Sequence, residues 1–213
     1  SVTVVVGNPP YSALSSNHEY HELVRPYYSI NGERVKERKS WLTDDYVKFF
    51  RWAQERVLGS SLGVIALVTP HGFLSNPTFR GMRHSLLEDF DDVYVVDLHG
   101  NANRRERTPE GFSDANVFQI RQGIAVSFWV RSGRGGKGRI RHADCWGRSA
   151  EAKLRWLEEH RLGAIEWAEL EPETQPFLRL VPGERVPVEY ESFLSVRDIF
   201  PVHSTGIITS RDR

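Results

Sequence analysis

VTVVVGNPPY, residues 2–11, joins an apolar run to a turn that is rich in proline. The run Val2-Thr3-Val4-Val5-Val6 is short, β-branched and almost continuously apolar, which is typical of a strand in a parallel sheet covered on both faces. Open α/β sheets bind their ligands at the carboxyl ends of such strands. The sequence therefore predicts a ligand site at the turn that follows Val6.

The turn Asn8-Pro9-Pro10-Tyr11 has a composition suited to binding a planar amino or amide group. Pro10 pushes Pro9 towards extended backbone, and Pro9 has a fixed φ and no N–H, so the turn presents carbonyl oxygens with few competing donors. The Asn8 side-chain oxygen adds another acceptor. Acceptors that bind both hydrogens of one NH₂ group favour a pyramidal, attacking nitrogen, and this is catalysis by positioning and polarisation. Tyr11 adds an aromatic ring that can stack on a planar base.

Composition sets the broad class of the protein. The chain has 213 residues, with 39% hydrophobic and 26% charged residues, which fits a soluble globular protein of one large or two small domains. Basic and acidic residues balance at 28 each, so any contact with DNA must come from local patches. The single cysteine, Cys145, excludes an internal disulfide framework. The apolar stretches are too short to span a bilayer and no signal pattern is present, so we expect a cytoplasmic protein without membrane contact.

The rest of the chain alternates strand-like and helix-like segments. We expect helices at about 45–58 and 77–88, strands at 63–68, 93–98 and 123–130, and a flexible hairpin at the glycine-rich segment 133–138. This order predicts a doubly wound α/β layer with a mostly parallel sheet. Because the last two of these strands are joined without a helix, we expect them to form an antiparallel pair at one edge. A charged helix to His160 and a proline-rich irregular extension follow.

These blocks, taken in order, resemble the adenine-N6 DNA methyltransferase family. The blocks are the strand ending in Asn8-Pro9-Pro10-Tyr11, a helix, the strand leading to Pro70 and Phe73-Leu74, the strand near Asp97, and Asn116-Val117-Phe118 before the final strand. The resemblance implies the C-terminal part of a Rossmann-like methyltransferase fold with an antiparallel edge strand. It also implies S-adenosylmethionine as methyl donor and a flipped-out adenine in duplex DNA as acceptor.

The resemblance assigns roles to individual residues. Asn8, Pro9, Pro10 and Tyr11 match the catalytic turn of the family, and Phe118 matches the aromatic residue that contacts the flipped base together with Tyr11. From the residues themselves, Arg104, Arg105 and Arg107 are candidate phosphate contacts because arginine offers bidentate donors, although a solvated charged loop is an equal alternative. We predict no metal site, and we expect His71 and His99 to be structural.

The family's glycine-rich cofactor loop and its acidic ribose contact precede the Asn-Pro-Pro-Tyr turn, and here only residues 1–7 do. We therefore expect a fragment that is inactive alone, with its cofactor-binding residues elsewhere in the parent. We divide it into a substrate half, 1–147, and an extension, 148–213, leading towards another domain. This arrangement resembles large fused restriction-modification polypeptides, which implies a missing N-terminal cofactor segment and a C-terminal target-recognition domain as partners.

Two other functional classes fit the same turn. Families that methylate a protein glutamine amide or an RNA guanine amino group also use it. A non-catalytic DNA-binding or assembly module with a methyltransferase-like fold is the third interpretation. The intact turn argues against that module, because a purely structural remnant does not need all of its residues.

Overall fold

The structure is a computed structural model, and it describes residues 1–11, 20–35, 40–135, 138–171, 178–182, 194 and 196–199. Two compact units are present, Ser1–Gly183 and Glu184–Arg213. The domain boundary predicted after residue 147 falls inside the first unit. In the second unit the described residues include one short helix, Val196–Ile199.

The first unit contains eight strands and three α-helices in its described part. The strands are β1 Val2–Gly7, β2 Ser29–Ile30, β3 Glu33–Arg34, β4 Leu62–Pro70, β5 Asp92–His99, β6 Ile124–Arg131, β7 Arg139–Asp144 and β8 Ala168–Leu170. The helices are α1 Asp45–Leu58, α2 Arg80–Asp89 and α3 Ala150–Glu159. Short 3₁₀ helices lie at Glu22–Tyr28, Ser40–Thr43, His71–Leu74, Pro77–Phe79 and Leu162–Ala164. No helix among the described residues is long and apolar enough to cross a membrane.

Six strands form one mixed sheet in the order β1-β4-β6-β5-β7-β8. The pairs β1/β4 and β5/β7 are parallel, and the pairs β4/β6, β5/β6 and β7/β8 are antiparallel. Four strands, β1, β4, β5 and β7, therefore run in one direction, while β6 and β8 run in the other. With helices packed on the sheet, the predicted α/β class is confirmed.

Two details of the predicted topology are wrong. The antiparallel pair β5/β6 forms as expected, but β6 lies between β4 and β5 instead of at an edge, and the antiparallel edge strand is β8. The glycine-rich segment after β6 does not make a hairpin, because β7 pairs with β5 on the side away from β6. Its residues 136–137 lie outside the described part. In the first case β6 also pairs with β4, and in the second β7 pairs with β5, so pairing with an earlier strand of the chain determines both positions.

One face of the sheet is closed by α1, α2 and described residues that precede α1, among them Val24, Tyr27 and Leu42. Trp129 on β6 is fully buried, and the rings of Phe50, Phe73 and Phe90 surround it with centroids 6.1, 6.5 and 6.1 Å away. Ile65 of β4 is buried in the same cluster. Burial of such large side chains stabilises by roughly 1.5–3 kcal/mol each, so this face is the main core.

The opposite face carries apolar side chains that remain partly exposed, and we call it the open face. It consists of the alternate residues of three neighbouring strands that the register places side by side: Val2, Val4, Val6, Val64, Ala66, Val68, Val126, Phe128 and Val130. Val6 is 76% exposed and Val4 is 62% exposed. Further along the sheet, towards β7, Trp156 of α3 and Trp167 pack on a small buried cluster around Leu98 and Ile124.

Candidate functional site

Strand directions bring the predicted site residues to one edge of the sheet. The carboxyl ends of β1, β4, β5 and β7 lie at this edge, and so does the amino end of the oppositely directed β6. The turn after β1, the 3₁₀ helix after β4 and the long connection 100–123 between β5 and β6 therefore all start or finish here. This is the ligand-binding edge expected for an open α/β sheet.

The turn after β1 is tied to the neighbouring strand by Tyr11. Pro9 is buried while Asn8 and Pro10 are exposed. The Tyr11 hydroxyl donates to the Asn8 Oδ1 atom and approaches the Val68 carbonyl oxygen at 3.1 Å. Burial raises the pKa of Tyr11 to about 12, so the hydroxyl keeps its proton and remains a donor at neutral pH. One lone pair of the Asn8 oxygen is thus used to orient the side chain, and the other can accept an N–H from a ligand.

Phe118 lies on the surface of the connection between β5 and β6. Its side chain is 44% exposed, whereas the preceding Val117 is buried in the cluster that includes Ile124. Phe118 is therefore not a core residue. The Tyr11 ring packs against both apolar clusters of the sheet.

The predicted phosphate contacts lie on the same connection. Arg104, Arg105 and Arg107 are all exposed. Arg107 also has a local role, because its guanidinium donates to the Gly111 carbonyl oxygen at 2.8 Å. Arg105 adopts a left-handed backbone conformation with φ of 52°, which is uncommon for a residue with a side chain.

Two further arginines near this edge were missed by the sequence analysis. Arg121 donates to Asn103 Oδ1 at 2.9 Å, and the Arg148 guanidinium lies 4.1 Å from the centre of the exposed Phe112 ring. Each is isolated in sequence, so no local pattern marks it. Only the contacts in the folded chain, Arg121 with Asn103 and Arg148 with Phe112, identify these two arginines.

A buried histidine and aspartate link β4, β5 and the connection 100–123. His71 Nδ1 donates to Asp97 Oδ1 at 3.0 Å, and the Asn101 side-chain amide lies 3.0 Å from His71 Nε2. Burial disfavours the His71 imidazolium, but the hydrogen bond and charge of Asp97, with the charge of Glu106, outweigh it and raise the pKa of His71. The same hydrogen bond helps to hold the pKa of Asp97 below its ordinary value despite burial. The network fixes the start of the connection against two strand ends.

His99 extends this network to β7. Its Nε2 atom lies 2.8 Å from Asp144 Oδ1, and its ring stacks on Trp146 at 3.4 Å. One ligand atom each from His71, His99 and Glu106 lie within 4.8 Å of one another, a donor set that metals accept. However, Asn101 already occupies the outer nitrogen of His71, so the hydrogen bonds of this ring are complete without an ion. The structural role of the two histidines stays a prediction.

Comparison with protein families identifies the class of the fold. Residues 2–103 match the family model described as Eco57I restriction-modification methylase. This match covers the turn after β1, α1, β4 and β5. The chain therefore has a methyltransferase domain fold of the kind found in restriction-modification enzymes, and the predicted resemblance to such domains is confirmed.

Solved structures of restriction-modification enzymes contain a region similar to this chain. The chain is 30% identical to a DrdV–DNA complex structure, with 84% of this chain covered and a TM-score of 0.69. It is 26% identical to the ATP-dependent Type ISP restriction-modification enzyme LlaBIII bound to DNA, with 88% covered and a TM-score of 0.72. A nuclease-deletion mutant of the Type ISP enzyme LlaGI shares the fold at 24% identity, 83% coverage and a TM-score of 0.70. The chain spans 18%, 13% and 18% of these three chains, and curated proteins give no match.

Proposed function

We propose that this chain is the substrate-binding part of a site-specific DNA methyltransferase that methylates adenine N6 within a restriction-modification system. The observation that carries the proposal is the exposed Asn8 side chain at the carboxyl end of β1, oriented by the Tyr11 hydroxyl. The methylase family of residues 2–103 supports methyl transfer. DNA is the proposed substrate because the DrdV and LlaBIII structures are DNA complexes.

The chain's own residues act on the amino group of the base. The free lone pair of Asn8 Oδ1 accepts one N–H, and a carbonyl oxygen of the proline turn accepts the other. Both contacts draw hydrogens out of the plane of the base, so the nitrogen lone pair becomes available for attack. Tyr11 and Phe118 are proposed to contact the extrahelical adenine, and such aromatic contacts are worth about 1–3 kcal/mol per base. That offsets much of the cost of flipping, which is a few kcal/mol.

The described residues contain no glycine-rich turn of the kind that binds the methyl donor. S-adenosylmethionine would supply the methyl group, and its methionine part needs a glycine-rich turn between a strand and a helix. The glycine-rich segment after β6 leads to strand β7, and Gly100 leads into the irregular connection 100–123. We therefore place the cofactor contacts in another part of the parent polypeptide, and the 213-residue chain is expected to be inactive alone.

The open face supports a partner within the same polypeptide. Its valines on β1 are exposed, although a sheet face of this composition normally packs under helices. We propose that the cofactor-binding segment of the parent covers these residues. A target-recognition domain further along the parent and a cytoplasmic location complete the proposal.

Methylation products of the full-length parent test this function. The parent is incubated with methyl-labelled S-adenosylmethionine and, in parallel reactions, with DNA, RNA or protein as acceptor, and the DNA is digested to nucleosides. The proposal requires label in N6-methyladenine. Label found only in cytosine would contradict adenine specificity. Label found only in protein or only in RNA would instead support the glutamine-amide or guanine alternatives, and no label in any substrate would favour the non-catalytic module.

Substitution of Asn8 tests the catalytic turn itself. We expect Asn8→Ala in the parent to lower turnover by about 10²-fold or more, as loss of one oxyanion-hole donor does, with little change in DNA affinity. Asn103→Ala is a matched control, because this exposed asparagine lies on the same sheet edge and its Oδ1 atom accepts a hydrogen bond from Arg121. Wild-type turnover of Asn8→Ala would show that the residue only shapes the turn.

A further inference from the structure

The side chain of Asn116 organises the connection that carries Phe118. Its Nδ2 atom donates to the Gly100 carbonyl oxygen at 3.1 Å and to the Gln122 carbonyl oxygen at 2.6 Å. Its Oδ1 atom accepts from the backbone N–H groups of Phe118 at 2.9 Å and Ile120 at 3.2 Å. A primary amide has two N–H donors and two acceptor lone pairs, so these four bonds use its full capacity.

The four bonds join the two ends of the connection 100–123 to residues 117–121, which carry Phe118 and which we call the tip. Gly100 follows β5 and Gln122 precedes β6, so the two donor bonds hold the segment to the ends of two paired strands. The two acceptor bonds fold the backbone of Phe118 and Ile120 around the amide oxygen. The tip that carries Phe118 is therefore fixed to the sheet through one side chain.

The backbone of Gly100 lies in close contact with the backbone of Asn116. Gly100 has φ of +80°, and a Cβ atom built there would lie 2.6 Å from the Asn116 Cα atom. A side chain at this position is excluded by both the backbone conformation and the contact. The glycine thus lets Asn116 come close enough to bond the Gly100 carbonyl oxygen.

The arrangement directs Phe118 outwards. Val117 before it is buried, Ile120 after it packs on the same small cluster, and Gln119 adopts a left-handed conformation with φ of 57°. With its neighbours on both sides drawn towards the sheet, the Phe118 ring remains on the surface at the ligand-binding edge. An exposed phenylalanine gives up the stabilisation that burial of its ring would provide. The hydrogen bonds of the Asn116 side chain explain why Phe118 is nevertheless held at the surface.

We infer that Asn116 is a positioning residue that presents the Phe118 ring to the extrahelical base, an inference that rests on the proposed function. The amide chemistry is specific for this role. Aspartate keeps the two acceptor bonds, but it loses both donors and places a carboxylate against the carbonyl oxygens of Gly100 and Gln122. Alanine loses all four bonds and frees the tip.

A double-mutant cycle in the full-length parent tests this inference. The variants are Asn116→Ala, Phe118→Ala and the double variant, with Asn116→Asp as a second test should the alanine variant fail to fold. The readouts are kcat, KM for DNA, and the fluorescence of 2-aminopurine placed at the methylated adenine position, which rises when the base leaves the stack. Asn103→Ala is the control for loss of an amide at the same edge.

We expect Asn116→Ala to lower kcat/KM by about tenfold, a change equal to ~1.4 kcal/mol, and to reduce the 2-aminopurine signal. If Asn116 acts through Phe118, the substitution has little further effect once Phe118 is alanine, because coupled residues are not additive. Independent, additive losses in kcat/KM would overturn the inference. Wild-type base flipping by Phe118→Ala would also overturn it, while the methylation assay still decides the proposed function separately.

Amide hydrogen exchange provides a readout that does not depend on activity. In Asn116→Ala, the N–H groups of Phe118 and Ile120 lose their acceptor, so their exchange becomes faster. In Asn103→Ala they exchange as in the wild type. Unchanged protection of both amides in Asn116→Ala would show that the side chain does not hold the tip, whatever the kinetic result.

Discussion

The two faces of the central sheet carry similar apolar side chains but have very different coverage. On one face Ile65 and Trp129 lie under α1 and α2 and are fully buried. On the open face Val4 and Val6, whose types are equally apolar, remain largely exposed. The composition of a strand therefore does not reveal whether the chain itself supplies the helices that cover both faces of its sheet. The strands of this chain are built for a sheet covered on both sides, and its described helices complete mainly one side.

Adjacent residues on β6 give the largest contrast between the faces. We expect Trp129→Ala to lower the free energy of unfolding of this chain by about 3–5 kcal/mol, because the indole is fully buried among three aromatic rings. Phe128→Ala, one residue away on the open face, should cost about 1 kcal/mol because its ring is already partly exposed. Urea unfolding of both variants measures the two effects. Equal losses would mean that the faces are equally packed.

A buried ion pair anchors α3, which covers the far end of the sheet. Lys153 and Asp114 side chains are both 0% exposed, and Lys153 Nζ also donates to the Leu98 carbonyl oxygen at 2.6 Å. Lys153→Ala should destabilise the chain by about 3–5 kcal/mol, because it leaves a buried carboxylate without its cation. The double variant Lys153→Met/Asp114→Leu removes both charges and should recover most of this loss. A double variant as unstable as Lys153→Ala would show that packing, not the orphan charge, sets the cost.

A valine-to-threonine exchange compares the faces at constant shape. Val93 on β5 is fully buried, so Val93→Thr should cost about 1–3 kcal/mol by burying a hydroxyl group. Val4→Thr on the open face should change the unfolding free energy of this chain by no more than about 0.5 kcal/mol. In the full-length parent the same Val4→Thr change should become costly if another segment covers it. The measurement is the thermal unfolding of both variants in the isolated chain and of Val4→Thr in the parent. A loss of stability from Val4→Thr in the parent alone would show that another segment covers Val4.

The smallest expected effect is the pH dependence contributed by His71. Its pKa is raised in the folded state, so protonation stabilises the fold below the ordinary value of about 6.5, and this contribution disappears as pH rises through the folded pKa. The groups that act on it are Asp97, Glu106 and Arg104. The stability difference between wild type and His71→Gln should therefore be largest near about pH 5–6 and smaller at about pH 8. A difference that grows with pH would contradict the direction of the shift.

The sequence predicted the elements formed by local patterns. The strand before Asn8, the helix at 45–58 and the strands β4, β5 and β6 lie where short apolar runs and helical spacing predicted them. The position of β6 was not predictable, because its place between β4 and β5 depends on pairing with strands distant in sequence. The block Asn116-Val117-Phe118 was recognised, but the role of the Asn116 side chain was not predicted, for a similar reason. Its four hydrogen-bond partners come together only in the folded chain.

The outer edge of β1 has a consequence for handling the isolated chain. β1 pairs with β4 along one side, and among the described residues no strand lies on its other side. Val2–Gly7 contains no charge, proline or bulge of the kind that protects a free strand edge. Its unpaired backbone groups are a template for another chain. The isolated chain is therefore expected to aggregate through this strand, which light scattering at increasing protein concentration would measure, and a charged residue placed at Val4 should reduce that aggregation.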